Sequence, residues 1–167
     1  MTGDAAWYEA AFVVGITNAL NVVSDGLDEA LPPLDEDATP DCRALFDEIG
    51  TFYGGAAVPV PFRVLARDPS YAADVWAAAR RAFADGRLPR RLKAALAFAV
   101  SMTTRSRFGI AFHLGEMRRL GVGERGVMEI VGVTQMFSSY TKIADTLQLA
   151  PDMADLAPED PTPAPGA

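Results

Sequence analysis

The chain has 167 residues, half of them apolar and 22% charged, which is a globular composition and enough chain for one domain with a core of its own. A formal net charge of −7 argues against nucleic acid and against an anionic membrane surface, because both need a basic face. The single cysteine, Cys42, excludes an intramolecular disulfide and any CxxC redox or metal pair, so no metal and no cofactor are expected.

The opening MTGDAAWYEA lacks the basic region of a secretory signal, and the apolar run over 12–23 is interrupted and too short to span a bilayer. A cytoplasmic location is the expectation. The first helix is read over about 4–23. Trp7, Tyr8, Phe12, Val14, Ile16, Leu20 and Val23 cover most of its circumference, which suits burial in a core or between subunits. Residues 24–38 are acidic and carry Pro32-Pro33. They lack the ligand spacing of a calcium loop and read as a solvated connector. Thr39 and Pro40 then start a helix with Cys42, Leu45, Phe46, Ile49, Phe52 and Tyr53 on one stripe, ended by Gly54 and Gly55. Nothing near Cys42 would lower its pKa, so it reads as a small core residue.

A Pro-led turn over 58–66 leads into a short helix, and Asp68-Pro69 opens the next, with an expected buried stripe of Tyr71, Val75, Trp76, Ala79 and Phe83. Another helix begins at Leu88-Pro89 and carries Leu92, Leu96, Ala99 and Val100. After a break near Thr103-Thr104 a helix runs from about Ser106 to Leu120 and closes at Gly121. The last stretch, 124–149, places Met128, Val131, Phe137, Tyr140, Ile143, Ala144 and Leu147 on one face, as one helix or as two with a bend near Phe137. Sustained strand alternation is missing, so the fold class is all-α. Residues 1–150 are read as one helical domain, and 151–167, rich in proline and acids, as a disordered tail.

Leu88-Pro89-Arg90-Arg91-Leu92-Lys93, then Ala97-Phe98-Ala99-Val100-Ser101, then Phe108-Gly109-Ile110-Ala111-Phe112-His113, Gly121-Val122 and Phe137-x-x-Tyr140 form an ordered series. This series resembles the alkylhydroperoxidase-D-like (AhpD-like) and carboxymuconolactone decarboxylase superfamily over about 88–149. The lead-in Phe62-Arg63-Val64-Leu65-Ala66-Arg67-Asp68-Pro69 is also similar to that superfamily, and to the helical repeat of group I haloacid dehalogenases. The resemblance implies an AhpD-like bundle of about six to eight helices and a homo-oligomer, a trimer or hexamer, for which the apolar first helix would supply contacts. The family histidine falls on His113, its two cysteines on Ser106 and Gly109, the histidine often found between them on Phe108, and its glutamate on Ala94. A peroxidase needs an attacking and a resolving thiol. With serine and glycine in their places, thiol peroxidase and disulfide reductase activity are not expected. The decarboxylase branch also lacks the cysteine pair.

His113 is the chain's one histidine and the candidate general acid or base; the alternative is a core histidine left by descent. Arg105 and Arg107 flank Ser106 ahead of a helix N-terminus and could clamp a carboxylate, or could be surface arginines. Phe108, Phe112, Trp76, Met102 and Tyr140 could line a pocket, or be core. Glu129 and Lys142 read as surface residues. Two functions follow. One is a cofactor-independent lyase or isomerase, without the family's cysteine pair, acting on a small organic acid or carbonyl compound. The other is an inactive descendant that binds a small molecule or serves assembly.

Overall fold

A computed structural model describes residues 3–27, 30–35, 42–55 and 57–149. Among them are seven α-helices and no strand: α1 Gly3–Gly26, α2 Arg43–Phe52, α3 Val60–Leu65, α4 Pro69–Phe83, α5 Arg90–Thr104, α6 Arg107–Arg119 and α7 Glu124–Leu147. The all-α expectation and the helix number hold. The helix start at Thr39-Pro40 and the tail over 151–167 lie outside the described residues, as does part of the acidic connector.

Local chemistry sets the helix ends. Asp68 caps α4 by accepting from the Tyr71 backbone N–H at 3.1 Å, with Pro69 in the first turn. The α5 N-terminus begins after Pro89, which has no side chain to cap with, and Asp85 serves instead, accepting from Arg90 N at 2.8 Å. Ser106 caps α6 through Gly109 N at 2.9 Å. Gly121 (φ +82°) turns the chain from α6 to α7 in the left-handed region where a Cβ is strained. The stretch 124–147 is one helix, so no break falls near Phe137.

The chain separates into two compact units, Met1–Thr134 and Gln135–Ala167. In the first, α5 is packed between α1 and α6, and α1 also touches α3 and α4. One core cluster holds Val13, Leu20, Phe46, Ile49, Phe62, Trp76 and Phe83, and a second holds Ala94, Ala95, Phe98, Met117 and Val127. Edge-on aromatic contacts join Phe52 to Tyr53 and Trp76, and Phe62 to Trp76, at centroid separations of 5.1–5.4 Å. Cys42 is buried, as a core residue should be. In the second unit, Phe137, Tyr140, Ile143 and Leu147 are exposed.

The expected α4 stripe is corrected at one position. Tyr71 is exposed and Ala72 takes the buried place on α4. On α5 the buried residues are Lys93, Ala94, Ala95, Ala97, Phe98 and Ser101, while Leu96, Ala99 and Val100 are half-buried and Leu92 is exposed. A helix held between two others needs small residues where they approach, so the leucines are displaced to the rim of a groove shared with Ile130 and Val133. The inner face of α1 is partly polar, with Thr17, Asn21 and Ser24 buried, while Trp7 and Tyr8 stand in solvent. No described helix is long and apolar enough to cross a membrane.

Candidate active site

The face of α6 that carries Ser106, Gly109 and His113 turns inward, and all three residues are buried. Ser106 Oγ is committed to capping its own helix. Gly109 has no room for a side chain: a Cβ there would collide with Asn21 Oδ1 and Ser101 Oγ and lie 2.9 Å from Ser101 Cβ. The intruder is α1. Asn21 Nδ2 donates to Ser101 Oγ at 3.1 Å and to Thr104 Oγ1 at 3.2 Å, and Ser101 Oγ donates to Ala97 O at 2.8 Å. A satisfied polar knot therefore fills the space beside position 109.

One turn further on, the His113 ring lies 5.8 Å from Phe83 and 5.1 Å, edge-on, from Phe112. Burial lowers its pKa to about 4, so the imidazole is neutral at pH 7. It borders a cavity of about 10 Å³ whose other walls include Tyr53, Phe83, Arg90, Ala94 and Glu116. That is room for about one water. Ala94, where the resemblance puts the family glutamate, is thus across the cavity from His113.

Sequence reasoning missed the charged wall of this cavity. Glu116 is buried, and its carboxylate accepts from Arg119 Nε and Nη2, both at 2.8 Å, a bidentate pair. Arg90 Nη2 donates to Phe52 O at 2.7 Å and to Glu116 at 3.4 Å, with its guanidinium 3.7 Å above the Phe52 ring. Burial, reinforced by the Glu116 charge, raises the Tyr53 hydroxyl well above the usual phenol range, so it stays protonated. The three residues come from α5, α6 and the end of α2, and no local spacing announces their meeting. The one sequence signal was Glu116 three residues before Arg119.

The other expected site residues are placed differently. Arg105, in the left-handed region at φ 58°, ends α5, and Arg107 begins α6; both are exposed and neither lines the cavity at His113. The α6 N-terminus is engaged from within the chain, since Asp25 accepts from Phe108 N at 3.5 Å alongside the Ser106 cap. Phe108 and Phe112 stack at 5.4 Å, and Phe112 meets Tyr53 edge-on at 5.1 Å. Trp76 is deep in the aromatic core and Met102 half-buried against the second cluster. Tyr140 and Lys142 are exposed in the second unit. Glu129 pairs with Arg125 at 3.1 Å on the surface of α7.

The carboxymuconolactone decarboxylase family model matches residues 69–152, from the start of α4 onward. No curated protein matches the chain. The fold is similar to the crystal structure of the alkylhydroperoxidase AhpD core from Rhodospirillum rubrum, with a TM-score of 0.70 over 77% of this chain and 97% of that one, at 21% identity. At that identity the likeness establishes the fold, the AhpD-like bundle that the resemblance implied.

Proposed function

The chain belongs to the carboxymuconolactone decarboxylase family, and on that premise we propose that it is a member without the paired cysteines, acting as a cofactor-independent lyase or isomerase on a small organic acid or carbonyl compound, with His113 as general acid and base. The observation that carries this reading is the convergence of a neutral imidazole, a protonated Tyr53 hydroxyl and the Arg90–Glu116 pair on one cavity. An imidazole held neutral by burial can take a proton from carbon or from a hydroxyl, and its conjugate acid, being strong, returns that proton readily. Tyr53 and Arg90 are suited to hold the oxyanion that develops meanwhile, in a setting where water is nearly excluded. Arg105 and Arg107, being exposed and away from this wall, are suited at most to guiding an anion toward the molecule.

A second reading, an inactive descendant kept for binding or assembly, is favoured by the size of the cavity, which accommodates about one water and no substrate body without side-chain movement. Either protein would be a homo-oligomer, a trimer or hexamer, with contacts through the exposed α1 stripe of Trp7, Val14 and Val22. The two readings are separated by incubating the chain, free of added metal or cofactor, with carboxymuconolactone and a panel of small keto and unsaturated acids, and following products by mass spectrometry. Turnover lost in His113→Ala and in Tyr53→Phe, with both variants folded, supports the enzyme. An unchanged panel, whether or not a compound raises the wild-type melting point by binding, supports the descendant.

A further inference from the structure

A second cleft in the first unit, away from His113, reaches the buried charge of Lys93. It lies between the first turns of α1 and the α4–α5 connection, with a volume of about 560 Å³, in the range of small-molecule sites. We propose that this cleft binds a small aromatic monocarboxylate, with Arg81 and Lys93 holding the carboxylate and Tyr8 and Phe12 covering the ring.

The charges decide the ligand class. Lys93 is only 2% exposed yet lines the cleft. Its ammonium donates to Ala84 O at 2.7 Å and pairs with Glu9 Oε2 at 3.1 Å, which uses two of its three N–H groups and leaves the third for a ligand oxygen. Arg81 is exposed, lies 5.5 Å from the Phe12 ring centroid, and makes no hydrogen bond or ion pair to a described residue. Its planar fork is thus free for a carboxylate. The two acids of the lining are already committed. Glu9 accepts from Arg87 N at 2.9 Å and Leu88 N at 3.0 Å as well as from Lys93, and Asp85 caps α5. Two cations and two anions make the lining neutral overall, so a ligand carrying one negative charge is accommodated at Arg81, whereas a second would meet Glu9 or Asp85. Tyr8 is 76% and Phe12 37% exposed, which gives the cleft aromatic faces suited to a flat apolar body. Gly86 keeps the base of the cleft as it is, because a Cβ there would lie 2.7 Å from Glu9 Oε1 and displace the carboxylate that orients Lys93. Lys93 and Ala94 are successive residues of α5, and one lines each cavity, so this site is separate from that of His113.

Benzoate titrated into the full chain by calorimetry tests this, with benzamide as the uncharged analogue. Arg81 is exposed, so Arg81→Gln should fold normally, which a thermal melt verifies. The expected result is one benzoate per chain, bound about tenfold more weakly by Arg81→Gln, benzamide weaker by a similar factor, and affinity unchanged in His113→Ala. Absence of binding to the wild type at millimolar benzoate would overturn the proposal. So would equal affinity in Arg81→Gln, or a loss in His113→Ala, which would put the ligand in the other cavity.

Discussion

Position 109 explains why thiol chemistry is not simply dormant in this chain. The sequence states that glycine replaces a cysteine of the related pattern, but only the fold discloses that Asn21, 88 residues earlier, occupies the space. Restoring the pair with Ser106→Cys and Gly109→Cys should therefore give no peroxidase turnover. The double variant should lose about 1–3 kcal/mol of stability, since the new Cβ displaces a hydrogen-bonded amide and the α6 cap is lost. Chemical denaturation beside a peroxide assay checks both parts. His113 carries a second prediction at this scale. Its folded pKa of about 4 lies below the 6.5 of a solvated imidazole, so the unfolded chain binds the proton first. Stability is full above about pH 6.5, falls as pH drops toward 4, and levels off below that. A loss of about 3 kcal/mol across this window corresponds to the shift. Replacing His113 with Gln should flatten the window. Glu9, lowered from 4.5 to about 2 chiefly by the Leu88 and Arg87 backbone N–H groups, stabilises the fold when ionised, and that contribution is lost in a lower window, as pH falls from 4.5 toward 2. Unfolding midpoints at pH 7 and pH 5 isolate His113.

At the scale of elements, the helices were legible and their faces less so. Pro, Gly and cap signals placed α3 to α6 within a residue or two, because helix ends are governed by local hydrogen bonding. The buried face of α5 was not legible, because apolarity alone cannot tell a helix packed on two sides, which buries alanine, serine and even lysine, from one packed on a single side. The Lys93–Glu9 pair is the clearest case: a basic residue in a helix start reads as solvent-facing, yet it locks α1 to the α4–α5 connection. Lys93→Ala should cost about 2–4 kcal/mol, by removing a buried stem and leaving Ala84 O without its donor. Lys93→Met, which keeps the volume, should cost less. Denaturant melts of the two variants separate packing from pairing.

At the scale of the molecule, the fold class and family were accessible from order and spacing. The charged wall was not, because Tyr53, Arg90 and Glu116 converge only through packing. The apolar stripe of α1 leads to an assembly prediction: light scattering at micromolar concentration should give a mass several times 17.8 kDa, and Trp7→Glu with Val14→Glu should reduce it. A monomeric wild type would contradict that. The proposed chemistry requires His113 to be a desolvated, neutral acid–base group. Because the chain has a single histidine, its ring resonances can be followed without ambiguity in an NMR titration. A buried His113 should titrate with a midpoint near pH 4; a midpoint near 6.5, the value of a solvated imidazole, would contradict its burial.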